Sequence, residues 1–101
     1  MNLEAFIKDT HDWSLKTHGP GDSTTRVVSH IIKELGEIMD DPDDIYEWID
    51  VIILALNGAS RRGFTPEHIV QALQDKMEIN KKRDWPNYRL HPKDKPLEHD
   101  K

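Results

Sequence analysis

Two pairs of acidic residues at the same spacing, Glu34/Glu37 and Glu47/Asp50, flank a proline-containing turn in the stretch ELGEIMDDPDDIYEWID. Residues three apart on a helix project about 60° from one another around the axis, so each pair points one way if its segment is helical. If the turn folds the two segments into an antiparallel hairpin, four carboxylates converge. They repel one another unless a cation sits among them, and the hard, oxygen-preferring Mg²⁺ or Mn²⁺ is the natural occupant. Taken alone, either pair reads as a solvated helix face. It is their joint placement around one turn that points to a metal site.

The elements that must hold these groups are helices. Leu3 to about Lys16 reads as a first helix with Leu3, Phe6 and Ile7 on its apolar side, and His18-Gly19-Pro20-Gly21 forces a turn after it. Ser23 or Thr24 is suited to cap a second helix reaching about Met39. Asp41-Pro42 is suited to start a third, which runs to about Arg62 and ends at Gly63. That third segment (Trp48, Ile49, Val51 to Leu56) has almost no polar face, which predicts burial on most sides and a subunit interface. Thr65-Pro66-Glu67 opens a fourth helix to about Arg83. From Asp84 onward the chain holds three of the six prolines and little periodicity, so residues 84–101 are expected to form an extended or partly disordered tail of a single 1–101 domain.

Wheel arithmetic at about 100° per residue places Val27, Ile31, Leu35 and Ile38 on the inward stripe of the second helix, Glu34 at its edge, and His30 and Glu37 on the adjoining flank. Glu47, Asp50, Leu54, Asn57 and Arg61 share one face of the third. Ile69 and Leu73 set the inward direction of the fourth, and Lys76, Asn80 and Arg83 continue that line. Carboxylates from two helices and cations from another describe a metal–polyphosphate site, although Lys76, Asn80 and Arg83 read almost as well as a solvated helix end.

Composition narrows the classes. At 101 residues, with 36% apolar and 33% charged residues, the core is modest and burial against other copies is plausible. No cysteine is present, which excludes disulfides and thiolate metal sites and fits a reducing cytoplasm. The net charge of −5 argues against a nucleic-acid-binding protein, including a helix-turn-helix reader. No segment approaches a signal core or a membrane span, so the expectation is a cytoplasmic protein without membrane partners. The six histidines form no H-x-x-x-H pair, so zinc is disfavoured, and His30 reads as a hydrogen-bonding neighbour of Glu34. The Asp40–Asp44 acids lack the spacing of a calcium loop, and neither a Gly-x-Ser-x-Gly elbow nor a P-loop lysine occurs. Trp13, Trp48 and Trp85 read as core or interface residues, one of which could stack on a base.

With these residues laid out, the chain resembles the all-α nucleoside triphosphate pyrophosphohydrolases, the superfamily of MazG and the dimeric dUTPases. Their hallmark, E-x-x-E on one helix and E-x-x-D on the next, is matched by Glu34, Glu37, Glu47 and Asp50. The likeness is greatest to the MazZ-like dATP/dGTP pyrophosphohydrolases of bacteriophages and prophages, through WSLKTHGPG (13–21), HIIKELGEI (30–38), EWIDVIILALNGASRRGFTPE (47–67), KMEINKKRDWP (76–86) and DKPLEHD (94–100). Two departures stand out. Asn57 occupies a position where relatives often carry an acid, and the spacer between the acidic pairs is short.

The resemblance implies a four-helix MazG-like bundle, all-α and oligomeric (a dimer or dimer of dimers), with sites at subunit contacts. It implies hydrolysis of a purine dNTP to dNMP and pyrophosphate, with Glu34, Glu37, Glu47 and Asp50 holding two or three Mg²⁺ or Mn²⁺ ions. Glu37 would orient the attacking water, while Lys76 and Arg83 meet the developing pyrophosphate charge. Asn80 is a further candidate for a phosphate oxygen or the sugar, Lys33 for the phosphates, Trp13, Ser14 and the Gly19–Gly21 loop for the base pocket, and Asn57 for substrate binding in place of a further metal contact. The rival expectations are cleavage of dUTP or dCTP, a broad house-cleaning pyrophosphatase, and a non-catalytic helical dimerisation module.

Overall fold

In a computed structural model the chain is all-α, and residues 1–98 are described. Four helices follow in order: α1 (Leu3–His18), α2 (Thr24–Asp40), α3 (Ile45–Arg61) and α4 (Pro66–Lys82). A single 3-10 turn, Tyr88–Leu90, lies in the tail, and no strand occurs among the described residues. The quoted stretch 94–100 runs past the described residues at His99 and Asp100, as do the last residues of the expected tail. The chain divides into two compact units, one from Met1 to Val70 and one from Gln71 onward. No described helix is long and apolar enough to cross a membrane.

Local chemistry sets the helix ends. Asn2 caps α1 by accepting from the Ala5 amide at 3.1 Å, and Gly19, at φ 87°, terminates it. Ser23 occupies the cap position of α2, but in left-handed backbone at φ 52° and without a side-chain cap bond; Asp22 Oδ1 accepts from Thr24 N instead, at 3.3 Å. The start of α3 also differs from expectation. Asp41-Pro42 belongs to a turn closed by Asp44 N donating to Asp41 O at 3.2 Å, and Asp44 is the cap, its Oδ1 accepting from Tyr46 N at 2.9 Å. Trp48 Nε1 reaches back over this turn to Pro42 O at 2.9 Å. Thr65 Oγ1 accepts from His68 N at the head of α4, as Thr-Pro-Glu suggested. Of the tail, residues 88–90 adopt the 3-10 turn rather than extended chain, with the Asn87 side chain accepting from Arg89 N.

Within the first unit α3 packs against both α2 and α1. The buried apolar side chains are Ile7, Val27, Ile38 and Ile69, each of which gains roughly 1.5–3 kcal/mol by leaving water. α2 and α3 approach closely at Gly58, where a Cβ would lie 3.1 Å from Val27 Cγ1. Two expectations about the apolar stripes are corrected. Leu35 is 48% exposed, and the inward line of α2 runs through Val27, Ile31, Glu34 and Ile38, with the carboxylate on the stripe rather than at its edge. On α3, Trp48, Ile49 and Ile52 are exposed within the single chain instead of buried on most sides. On α4, Leu73 is half-exposed.

Candidate active site

The short connection makes α2 and α3 antiparallel neighbours, so the C-terminal half of one faces the first turns of the other. One carboxylate oxygen from each of Glu34, Glu37 and Glu47 falls within 4.8 Å of the other two. Glu34 is 7% exposed, and His30 Nε2 lies 3.1 Å from its Oε1 on the preceding turn, as the spacing suggested. Crowding reshapes their acidity. Glu47 is pushed up to about 7, first by its hydrogen bond with Glu37, then by desolvation and the charges of Glu37, Asp44 and Glu34. The hydrogen bond with Glu37, burial and nearby negative charge also raise Glu34. Glu37 moves down, because Glu34 and Glu47 donate to it and Lys33 and His30 add positive charge. The three carboxyls therefore titrate as one coupled group, with Glu34 and Glu47 raised and Glu37 lowered.

The donor set fits a hard divalent ion. Glu34 Oε2 and Glu47 Oε2 are buried without a hydrogen-bond partner, and a carboxylate oxygen left in that state is costly unless a cation or proton satisfies it. Asp50 stands outside the group of three. It lines a cavity together with Glu34, and its charge contributes to raising that residue.

That cavity, about 430 Å³, opens beside the carboxylates. α2 supplies Arg26, Val27, His30 and Glu34; α3 supplies Asp50, Ile53, Leu54, Asn57 and Arg61 at successive turns of one face; the end of α1 supplies Thr10, Trp13, Ser14 and His18. The Trp13 and His18 rings meet edge to face, with centroids 5.5 Å apart and planes at 85°. Trp13 is 59% exposed, so it lines this cavity rather than the core. Asn57 Oδ1 is buried and unpartnered. Acid at one end, aromatic rings at the other and a free carboxamide between them suit a ligand that is polar at one end and flat at the other.

Of the residues singled out from sequence, Glu34, Glu37 and Glu47 are brought together, and Trp13, Ser14, Asn57 and Asp50 line the adjoining cavity. Lys33 is exposed on α2 and does not line it. Lys76, Asn80 and Arg83 belong to the second unit, where Lys76 is exposed, Asn80 and Arg83 are partly covered, and the Asn80 carbonyl accepts from Trp85 Nε1 at 2.8 Å. Sequence reasoning gave no role to Arg61, which is 8% exposed and donates to Ser14 and to the loop after α1. Its only sequence signal was its place on the Asp50–Leu54–Asn57 face.

Comparison with known proteins now bears on this geometry. Over an alignment 61 residues long, covering 55% of this chain and 19% of the other protein, the sequence is 41% identical to the Eaa protein of Salmonella phage P22. No solved structure matches. The family profile for dATP/dGTP pyrophosphohydrolase matches residues 6–101, a range that takes in the carboxylate trio, the cavity and the second unit. The chain therefore belongs to the dATP/dGTP pyrophosphohydrolase family, hydrolases that act on phosphoric anhydrides.

Proposed function

We propose that the chain hydrolyses purine deoxynucleoside triphosphates, dATP or dGTP, between the α- and β-phosphates in a reaction dependent on Mg²⁺ or Mn²⁺. One observation carries the reading: three carboxylates with two buried, unpartnered oxygens, one of the three, Glu34, also lining a cavity of nucleoside size. The family description supports the substrate class.

Glu34, Glu37 and Glu47, with Asp50 one turn further along α3, would hold two or three divalent ions. When bound, such ions supply Lewis-acid activation of water and neutralise charge on the α- and β-phosphates. Water oxygen attacks the α-phosphorus, the α–β bridging bond breaks, and its electron pair leaves with pyrophosphate. Glu37, the member of the trio whose acidity is shifted downward, would accept and orient the water proton. Lys76 and Arg83 are carried over from the resemblance as candidates for the charge of the departing pyrophosphate, and Asn80 and Lys33 as further polar candidates. Trp13, Ser14 and Asn57 take the nucleoside, the ring by stacking and the carboxamide by pairing with a base edge.

A homo-oligomer is part of the same proposal. Val28, Ile32, Leu35 and Met39 form an apolar stripe on α2, 49%, 64%, 48% and 81% exposed, and Ile45, Tyr46, Ile49 and Ile52 are exposed on α3. So much apolar surface beside so small a core suits a second copy of the chain.

The direct test is pyrophosphate release from dATP, dGTP, dCTP, dTTP and dUTP, with Mg²⁺ or with chelator, for the wild type and Glu37→Gln. Metal-dependent cleavage of purine substrates, lost in the variant, is expected. Cleavage of pyrimidines alone would overturn the substrate class, and no cleavage at all would leave a helical dimerisation module as the better account.

A further inference from the structure

The cavity wall opposite the carboxylates is held by one side chain. Arg61, at the end of α3, is buried, and no carboxylate lies within ion-pair distance of it among the described residues. A guanidinium taken from water without a counter-ion is costly unless its fork is filled. Here backbone and hydroxyl oxygens from two segments engage its two terminal nitrogens, while Nε stays buried without a partner. Nη2 donates to Ser14 Oγ at 2.8 Å and to Ser14 O at 3.1 Å; Nη1 donates to Gly19 O at 2.9 Å, Gly21 O at 3.0 Å and Ser23 Oγ at 3.4 Å. The Ser14 and Gly19 carbonyls lie at the C-terminal end of α1, where the helix dipole is negative and partly compensates the charge.

These acceptors bracket the two aromatic rings of the cavity. Trp13 is the neighbour of Ser14, and His18 is the neighbour of Gly19. The bracketed loop is also conformationally demanding. Gly19, Gly21 and Ser23 all have positive φ, at 87°, 107° and 52°, and the last is unfavourable for a residue with a side chain. Such a loop has little preference of its own for this shape, so its carbonyls need an external partner to hold them.

We propose that Arg61 is a positioning residue for the nucleoside end of the cavity: its terminal nitrogens clamp the end of α1 and the loop 19–23 to α3, and so fix where Trp13 and His18 stand against the α3 wall that receives the base. The inference rests on the reading that this cavity receives the nucleoside. It assigns Arg61 no contact with metal or phosphate, and the carboxylate trio does not depend on it.

The test compares Arg61→Met and Arg61→Lys with the wild type by steady-state kinetics on dATP, dGTP and dCTP. The rise in melting temperature produced by Mn²⁺ alone is measured beside it. Lysine keeps the charge but offers a single point in place of the fork, so both variants are expected to raise the purine KM by about tenfold or more, with kcat far less affected. Both should lower the preference for purine over dCTP while keeping the Mn²⁺-induced stabilisation. Unchanged KM and unchanged base preference in Arg61→Lys would overturn the proposal, even if that variant melts earlier, because the clamp would then be structural only. If Arg61→Met does not fold, Arg61→Lys decides alone. A wild type that cleaves no nucleotide yet is stabilised by Mn²⁺ would instead overturn the reading of the cavity, and the inference with it.

Discussion

At the residue scale the decisive property of this protein is that three carboxyl groups sit closer together than their charges allow. Protonation is one remedy, and it leaves a pH signature. Glu47 titrates near 7 in the folded chain against an ordinary 4.5, so folding takes up a proton in that interval. Stability from this group is fully present below about 4.5 and is lost as pH rises through about 7. Glu34 shifts the same way, whereas the lowered Glu37 contributes stability above its ordinary range that is lost as pH falls. In chelator, the melting temperature of the wild type relative to Glu47→Gln should therefore decline between about pH 4.5 and 7. Parallel circular dichroism melts across that range check it. A cation is the other remedy, and it competes with those protons. Mg²⁺ at a hundred times its Kd should stabilise the fold by about 2.7 kcal/mol, with an apparent affinity that rises with pH through the same window.

At the element scale, α3 is the piece on which the site depends most. It contributes Glu47 in its first turn, Asp50 in its second, Asn57 beyond them and Arg61 at its end. Asp44 caps that first turn through Tyr46 N. Asp44→Ala should cost about 1 kcal/mol of stability, read from denaturant midpoints, and should weaken metal binding as well by fraying the turn that carries Glu47. The sequence showed four acids around this turn but not which one caps, because the choice depends on where the chain bends after Pro42. The helices themselves were legible to within a few residues, since hydropathic period and Gly/Pro punctuation are local properties. So was the meeting of Glu34, Glu37 and Glu47, which follows from equal spacing on either side of a short turn. What escaped was everything decided by distant chain. A stripe drawn through apolar residues chose Leu35 and left Glu34 at the margin, because hydropathy cannot signal that a carboxylate will be buried among others of its kind. Arg61 bonds to oxygens 38 to 47 residues away, most of them backbone carbonyls that any residue would carry.

At the scale of the whole molecule, apolar surface exceeds what the single chain covers. The third helix reads from sequence as buried on most sides, yet Trp48, Ile49 and Ile52 remain exposed, and α2 adds Ile32 and Met39. The second copy proposed above would resolve the mismatch between sequence and single-chain burial. Ile32→Glu combined with Met39→Glu should shift the chain toward monomer in sedimentation velocity, because each buried carboxylate would face apolar surface without a partner. The crowded carboxylates have one more consequence, which concerns the protein's lifetime in a cell. Proteases cut the opened chain, and the opened population is set by the free energy of the closed one. A chain whose buried acids are satisfied by a cation opens less often than the bare one. With the proposed ions bound, its rate of degradation would follow the free divalent-ion level, and the same ions would set how long the protein survives.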